Sequence, residues 1–184
     1  MNLKGSETEK NLYKTFAGES RANTKYSLYA EQARKEGYRW VAEIFEETAG
    51  NEKAHAREVL KKYLCKINNT EANLRDAAKG EAQEANRTYK DFENVARKEG
   101  FYDIADFYKE LQETEEAHEE RFIKLADKIK EDEIFKSIGP SLWQCMNCGY
   151  IHEGTEAPKN CPLCNYPKSY FKPYCKVKSF LGGE

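Results

Sequence analysis

No proline occurs before Pro140 in this 184-residue chain, and all five prolines lie between Pro140 and Pro173. Proline breaks helix interiors, so nothing of that kind interrupts the first 139 residues. The shift in composition marks a boundary near residues 134–142, punctuated by Gly139-Pro140. No run of 18 apolar residues is present, which excludes a membrane-spanning helix. The N-terminal stretch MNLKGSETEKN lacks the apolar segment of a secretory signal, so the cytoplasm is the expected compartment. The net charge is only −2, which implies neither a nucleic-acid partner nor an anionic membrane surface.

What is present is an internal repeat. Ala33-Arg-Lys-Glu-Gly37 recurs as Ala96-Arg-Lys-Glu-Gly100, 63 residues on. Glu52-Lys-Ala-His55 recurs as Glu115-Glu-Ala-His118, and Tyr26 as Tyr89, at the same offset. Each repeat reads as a helical hairpin whose first helix ends at the glycine. Four helices are expected, over 7–36, 38–65, 70–99 and 101–130, with Ser6 and Glu9 as a capping box for the first.

The apolar stripes alternate steps of four and three. The first runs Leu12, Phe16, Glu19, Asn23, Tyr26, Ala30, Ala33, and the last runs Ile104, Tyr108, Leu111, Glu115, His118, Phe122, Leu125. These are core faces of bundle helices. Carboxylates interrupt them at Glu19, Glu52, Glu81 and Glu115, where burial without a partner is costly. Glu52 with His55 and Glu115 with His118 are three residues apart, hence on one helix face. One Glu-x-x-His in a Glu-rich helix is a weak signal and reads more readily as a solvated face. Two at matched repeat positions inside apolar stripes point to a di-iron or di-manganese carboxylate centre in a four-helix bundle. Mixed carboxylate and imidazole donors suit iron or manganese better than magnesium.

The repeat slips once. Gly18-Glu19 matches Gly80-Glu81 at an offset of 62, whereas Tyr26 matches Tyr89 at 63. The third helix thus carries one extra residue between Glu81 and Tyr89. A π-bulge absorbs such an insertion, often at a functional site. Glu84 lies in that segment, and the insertion is expected to turn it inward as a further carboxylate ligand.

The C-terminal part holds Cys145-x-x-Cys148 and Cys161-x-x-Cys164. Four thiolates on two short turns make a tetrahedral metal knot, compatible at this point with zinc or a single iron. The metal is expected to supply much of the folding energy of so small a domain. Trp143, Tyr150, Tyr166, Tyr170 and Phe171 are expected to form an aromatic layer beside it. Cys65 and Cys175 stand outside the pairs and read as plain thiols; His152 falls in a loop between the two knuckles, either near the metal or simply exposed.

Taken together, Glu19, Glu52-x-x-His55, Gly80-Glu81-x-x-Glu84, Glu115-x-x-His118 and the Cys145/Cys148/Cys161/Cys164 set resemble the rubrerythrin family over essentially the whole chain. The resemblance implies an all-α ferritin-like bundle over 1–138 and a small, strand- and loop-rich rubredoxin-like domain over 139–184. It implies two iron ions on Glu19, Glu52, His55, Glu81, Glu84, Glu115 and His118, and one iron on the four cysteines. The implied activity is a non-haem peroxidase of the NADH peroxidase type, protecting against oxidative stress. Electrons would come from a reduced carrier or reductase, pass through the thiolate-bound iron and reduce hydrogen peroxide to water. The family further implies exchange of His55 and Glu84 on one iron, and Tyr26 and Tyr89 as hydrogen-bond donors to ligand carboxylates.

Chain length bears on assembly. From His55 to Cys65 the helix covers about 15 Å, and from Thr70 to Glu81 about 16 Å. Levelling both ligand sets within one chain then needs a linker of roughly 30 Å, whereas Lys66–Asn69 spans about 14–17 Å at most. A homodimer that exchanges helix pairs between chains is the favoured arrangement. Two other functions compete with peroxidase: ferroxidase-type iron handling, and a structural module with zinc on the cysteines.

Overall fold

The computed structural model describes residues 2–175. The chain forms two compact units, Met1–Asn69 and Thr70–Glu184. The first is a hairpin of α1 (Glu7–Lys35) and α2 (Arg39–Glu58), with α2 widening into a π-helical turn over Val59–Tyr63. In the second unit α3 (Thr70–Gln83), a π turn (Glu84–Thr88) and α4 (Tyr89–Glu99) follow one another without a break, and α5 (Tyr102–Lys130) pairs with them. The four helices expected from the repeat are therefore present, and the third carries a π turn in the segment where the repeat slips.

Local chemistry sets the helix ends. Ser6 Oγ accepts from the Glu9 amide at 3.1 Å and caps α1. Glu9 reaches back to the amide of Gly5 rather than that of Ser6, so the capping box is displaced by one residue. Gly37 and Gly100 end their helices at φ +87° and +85°. After each, the next amide returns to the carbonyl five residues back: Tyr38 to Ala33 and Phe101 to Ala96, both at 2.9 Å. This is the Schellman arrangement, built twice from the same five residues.

Small residues let the paired helices approach. Ala30, Ala33, Ala42, Ala49 and Ala56 are the buried positions of the first hairpin's helices, and Ala96 and Ala105 repeat Ala33 and Ala42 in the second. Large side chains remain outside at matched positions. Tyr29, Tyr38, Val41 and Ile44 are exposed in one hairpin, as are Phe92, Phe101, Ile104 and Phe107 in the other. Each pair is 63 residues apart, so both hairpins present the same apolar face.

After α5 the chain enters a three-stranded antiparallel sheet of order β2-β1-β3, with β1 Lys136–Cys145, β2 Ile151–Glu156 and β3 Phe171–Tyr174. The strand begins at Lys136, inside the 134–142 stretch where the composition shifts, and the Gly139-Pro140 pair sits in an irregularity of the β1–β2 register between Lys136 and Ser141. Proline is tolerated there because no ladder hydrogen bond is asked of it. Trp143, Cys145, Ala157, Cys161 and Phe171 form the domain's core, with Phe135 and Tyr150 packed against it. Tyr166 and Tyr170 instead stack edge to face on each other at 4.6 Å, so the expected aromatic layer includes three of its five members. Among the described residues, no helix is long and apolar enough to cross a membrane.

Candidate metal centres

Among the described residues, three clusters of metal-ligating side chains form, each with its donor atoms within 4.8 Å of one another: Glu19, Glu52 and His55; Glu81, Glu115 and His118; and Cys145, Cys148, Cys161 and Cys164. The first lies within one hairpin and the second within the other.

The two carboxylate clusters are built alike. In the first, His55 Nδ1 lies 3.0 Å from Glu52 Oε2 and 3.8 Å from Glu19 Oε2. In the second, His118 Nδ1 lies 2.6 Å from Glu115 Oε2 and 4.0 Å from Glu81 Oε1. One donor comes from the first helix of the hairpin, and two come from a single face of the second. The six residues are half-buried or exposed within their own units rather than sealed. His118 is the better sheltered, its side chain 36% exposed against 61% for His55.

Electrostatics marks both as sites awaiting positive charge. A hydrogen bond to Glu52 holds the Glu19 carboxyl above the usual range, while the same contact, with help from His55, lowers Glu52. Two carboxylates so close share a proton. Glu81 is raised by burial first and by the charge of Glu115 second. A cation placed among these oxygens replaces the proton and relieves the repulsion, so the donor set fits a metal.

Glu84 stands beside the second cluster rather than in it. It is exposed, and its charge acts on Glu81. Tyr89 Oη donates to Glu84 Oε2 at 2.9 Å. Burial, then that hydrogen bond, pushes the Tyr89 phenol up to about 12, so it stays a donor at physiological pH. Tyr26 differs. Its ring packs against Tyr29 and Phe45, each at 6.3 Å, and among the described residues its hydroxyl has no hydrogen-bond partner.

The four-cysteine knot is two copies of one turn. Gly149 donates to the Cys145 carbonyl and Asn165 to the Cys161 carbonyl, at 2.9 and 2.8 Å. Gly149 and Asn165 occupy the left-handed region at φ +79° and +60°, a conformation glycine and asparagine accept. Cys145 Sγ lies 3.7 Å from Cys164 Sγ, and Cys148 Sγ lies 3.6 Å from Cys161 Sγ. A disulfide would need about 2.05 Å. A tetrahedron with metal–sulfur bonds of about 2.3 Å has edges of about 3.8 Å. The spacing therefore fits a four-thiolate metal. The Tyr166 amide brings the Cys164 thiol down to about 6. The Tyr150 amide acts likewise on Cys148, yet burial and the neighbouring thiols push that group up to about 12.

His152 is not a loop residue. It lies half-buried on β2 opposite Trp143. Its Nε2 sits 2.8 Å from where a Cβ on Gly154 would fall, so a side chain at that position would push the ring aside. Cys65 and Cys175 are free and exposed. Sequence reasoning missed the π turn at Val59–Tyr63.

Comparison with known proteins agrees with this geometry. The family model described as Rubrerythrin matches residues 10–126, and the rubredoxin-like domain of rubrerythrin matches residues 143–172. The chain is 42% identical over 189 residues to rubrerythrin of Clostridium perfringens, covering 94% of this chain and 97% of that protein. It is 40% identical over 183 residues to rubrerythrin of Nitratidesulfovibrio vulgaris, covering 93% and 96%. To a putative rubrerythrin of Methanocaldococcus jannaschii it is 39% identical over 197 residues, covering 96% of each. The carboxylate–histidine residues and the four cysteines are consistent with two iron ions plus one.

Proposed function

The chain belongs to the rubrerythrin family, and on that premise we propose that it is a non-haem di-iron peroxidase of the NADH peroxidase type, reducing hydrogen peroxide to water in the cytoplasm and protecting against oxidative stress. The observation that carries the reading is the coexistence, in one chain, of two matched carboxylate–histidine clusters and a four-thiol knot. A store for iron needs only the first kind of site; an electron relay needs both.

The roles proposed for the residues follow from their chemistry. Glu19, Glu52, His55, Glu81, Glu115 and His118 hold the di-iron site, with Glu84 as a seventh ligand that trades places with His55 on one iron. Tyr89 keeps its proton and steadies Glu84; Tyr26 plays the matching part in the first repeat. Cys145, Cys148, Cys161 and Cys164 hold a third iron, and the Tyr150 and Tyr166 amides stabilise negative charge on the sulfurs. Iron, when bound, supplies the electrons that split the oxygen–oxygen bond. A reduced carrier or reductase replenishes them through the small domain, for which we keep the boundary at 138/139.

The proposed assembly is a homodimer in which the first hairpin of one protomer completes the site of the second hairpin of its partner. Chain length supports it. With helix ending at Tyr63 and resuming at Thr70, the chain between these two residues extends roughly 23–25 Å at most. A one-chain site needs about 28 Å, from the helical rises Tyr63–His55 and Thr70–Glu81. The matched apolar faces of the hairpins also call for a partner.

Steady-state turnover tests the reading. With a reduced carrier, the iron-loaded protein should consume hydrogen peroxide much faster than dioxygen. Preference for dioxygen, or ferrous iron taken up in many equivalents per chain, would replace it with a ferroxidase reading.

A further inference from the structure

A cavity of about 370 Å³ opens between the C-terminal half of α5 and β3, within the second unit. Its floor is apolar, formed chiefly by Leu125, Phe135 and Phe171. Its rim carries Arg121, Lys128 and Lys172. Arg121, Leu125 and Lys128 recur at helical spacing and so share one face of α5. The neighbouring Lys124 is already paired with Glu120 at 2.9 Å, and the Asp127 carboxylate is taken by Arg75 at 3.1 Å. Among the described residues, Arg121, Lys128 and Lys172 have no carboxylate within ion-pair distance. Three cations without a carboxylate partner around an apolar hollow make it complementary to an anion.

The floor is also the outer wall of the four-cysteine knot. Phe171 is the register partner of Cys145 across β1 and β3. It is only 3% exposed and belongs to the same core cluster as Cys145 and Cys161, against which Phe135 packs. A flat aromatic ring seated on the half-buried Leu125 and Phe135 would therefore lie over Phe171, with that side chain between it and Cys145. The volume falls at the small end of the roughly 300–1,000 Å³ usual for small-molecule sites. It suits one ring system with one phosphate rather than a dinucleotide.

We propose that this cavity binds an aromatic mononucleotide, its ring on the Leu125–Phe135–Phe171 floor and its phosphate on Arg121, Lys128 and Lys172. The proposal does not depend on the peroxidase reading, because occupancy is a property of the folded chain whatever the metal centres do.

Flavin mononucleotide is the probe, titrated into the iron-loaded full-length protein while flavin fluorescence is followed. The expected result is saturable quenching with one flavin per chain, weakening as salt is raised. Riboflavin, which has the ring without the phosphate, and inorganic phosphate, which has the charge without the ring, should each bind about tenfold or more weakly. The double variant K128E/K172E should lose at least about tenfold in flavin affinity. Its iron–thiolate absorption and peroxide turnover should match those of the parent, since neither lysine touches a metal ligand. No saturable quenching in the parent, equal affinity of the double variant, or displacement by phosphate as effective as by the nucleotide would each overturn the proposal. If the double variant fails to fold, the salt dependence and the riboflavin comparison on the parent decide it.

Discussion

Tyr89 donates its phenolic hydrogen to Glu84 at 2.9 Å, although the two residues are five apart in one helix. In a regular α-helix such residues point about 140° away from each other. They meet here because Glu84–Thr88 is a π turn, which holds more residues per turn and swings Glu84 back toward the tyrosine. The inserted residue thus ties a flexible carboxylate to a donor that stays protonated at physiological pH.

Replacing Tyr89 with phenylalanine removes that donor and little else, since the ring still packs on Tyr108 at 5.9 Å. The variant should fold and load metal at all three positions. Its peroxide turnover should fall about 10–100-fold, the usual cost of losing a partner that orients a metal ligand. Stopped-flow measurement of the loaded variant checks this; unchanged turnover would remove Tyr89 from the mechanism.

Deleting Asn86 restores a constant repeat offset and should convert the π turn to α-helix. Helix content by circular dichroism should be kept. Glu84 should turn away from Tyr89, and turnover should drop by at least about tenfold, the scale expected when a ligand carboxylate loses its orientation. A deletion variant as active as the parent would mean that the insertion has no part in the chemistry.

The insertion was legible because two repeats can be laid side by side and one is a residue longer. The π turn at Val59–Tyr63 was not, because α2 ends directly after it and leaves no matching sequence to show a slip. The six residues of the two carboxylate–histidine clusters were legible from periodicity, since Glu52, His55, Glu115 and His118 are spaced by helix geometry and Glu19 and Glu81 fall on the facing stripes. The small domain was harder. Ile151 lies outward at 39% exposure while His152 turns inward, the reverse of the usual alternation. His152 pairs with the buried Trp143 in the β1–β2 register, and Trp143 Nε1 donates to the Gly154 carbonyl at 3.1 Å, so contacts with this ring rather than hydrophobicity go with the facing of β2.

Removing the metal from the four-cysteine knot should unfold the small domain and leave the helices intact. Its core of Trp143, Cys145, Ala157, Cys161 and Phe171 is too small to hold without the metal. C161S should behave likewise. Near-ultraviolet circular dichroism should lose the Trp143 signal while far-ultraviolet helicity persists. Retention of the Trp143 signal in metal-free protein would contradict this.

Helix-pair exchange can be tested by complementation. A chain carrying E19A and E52A and a chain carrying E81A and E115A should each be inactive alone. Unfolded together and refolded at equal amounts, random pairing makes half the dimers mixed. Each mixed dimer holds one intact site of two, so about a quarter of wild-type activity should return. Recovery no greater than the sum of the separate variants would exclude exchange.

The relay we propose from thiolate iron to carboxylate iron is most directly tested by a single turnover. The fully loaded protein is reduced under anaerobic conditions and mixed with stoichiometric hydrogen peroxide. Return of the oxidised iron–thiolate absorption should be fast, and it should be lost in a variant carrying E52A and E115A, in which both matched clusters are broken. An iron–thiolate signal that returns equally fast in that variant would mean that peroxide meets the four-cysteine site directly, and the relay would be wrong.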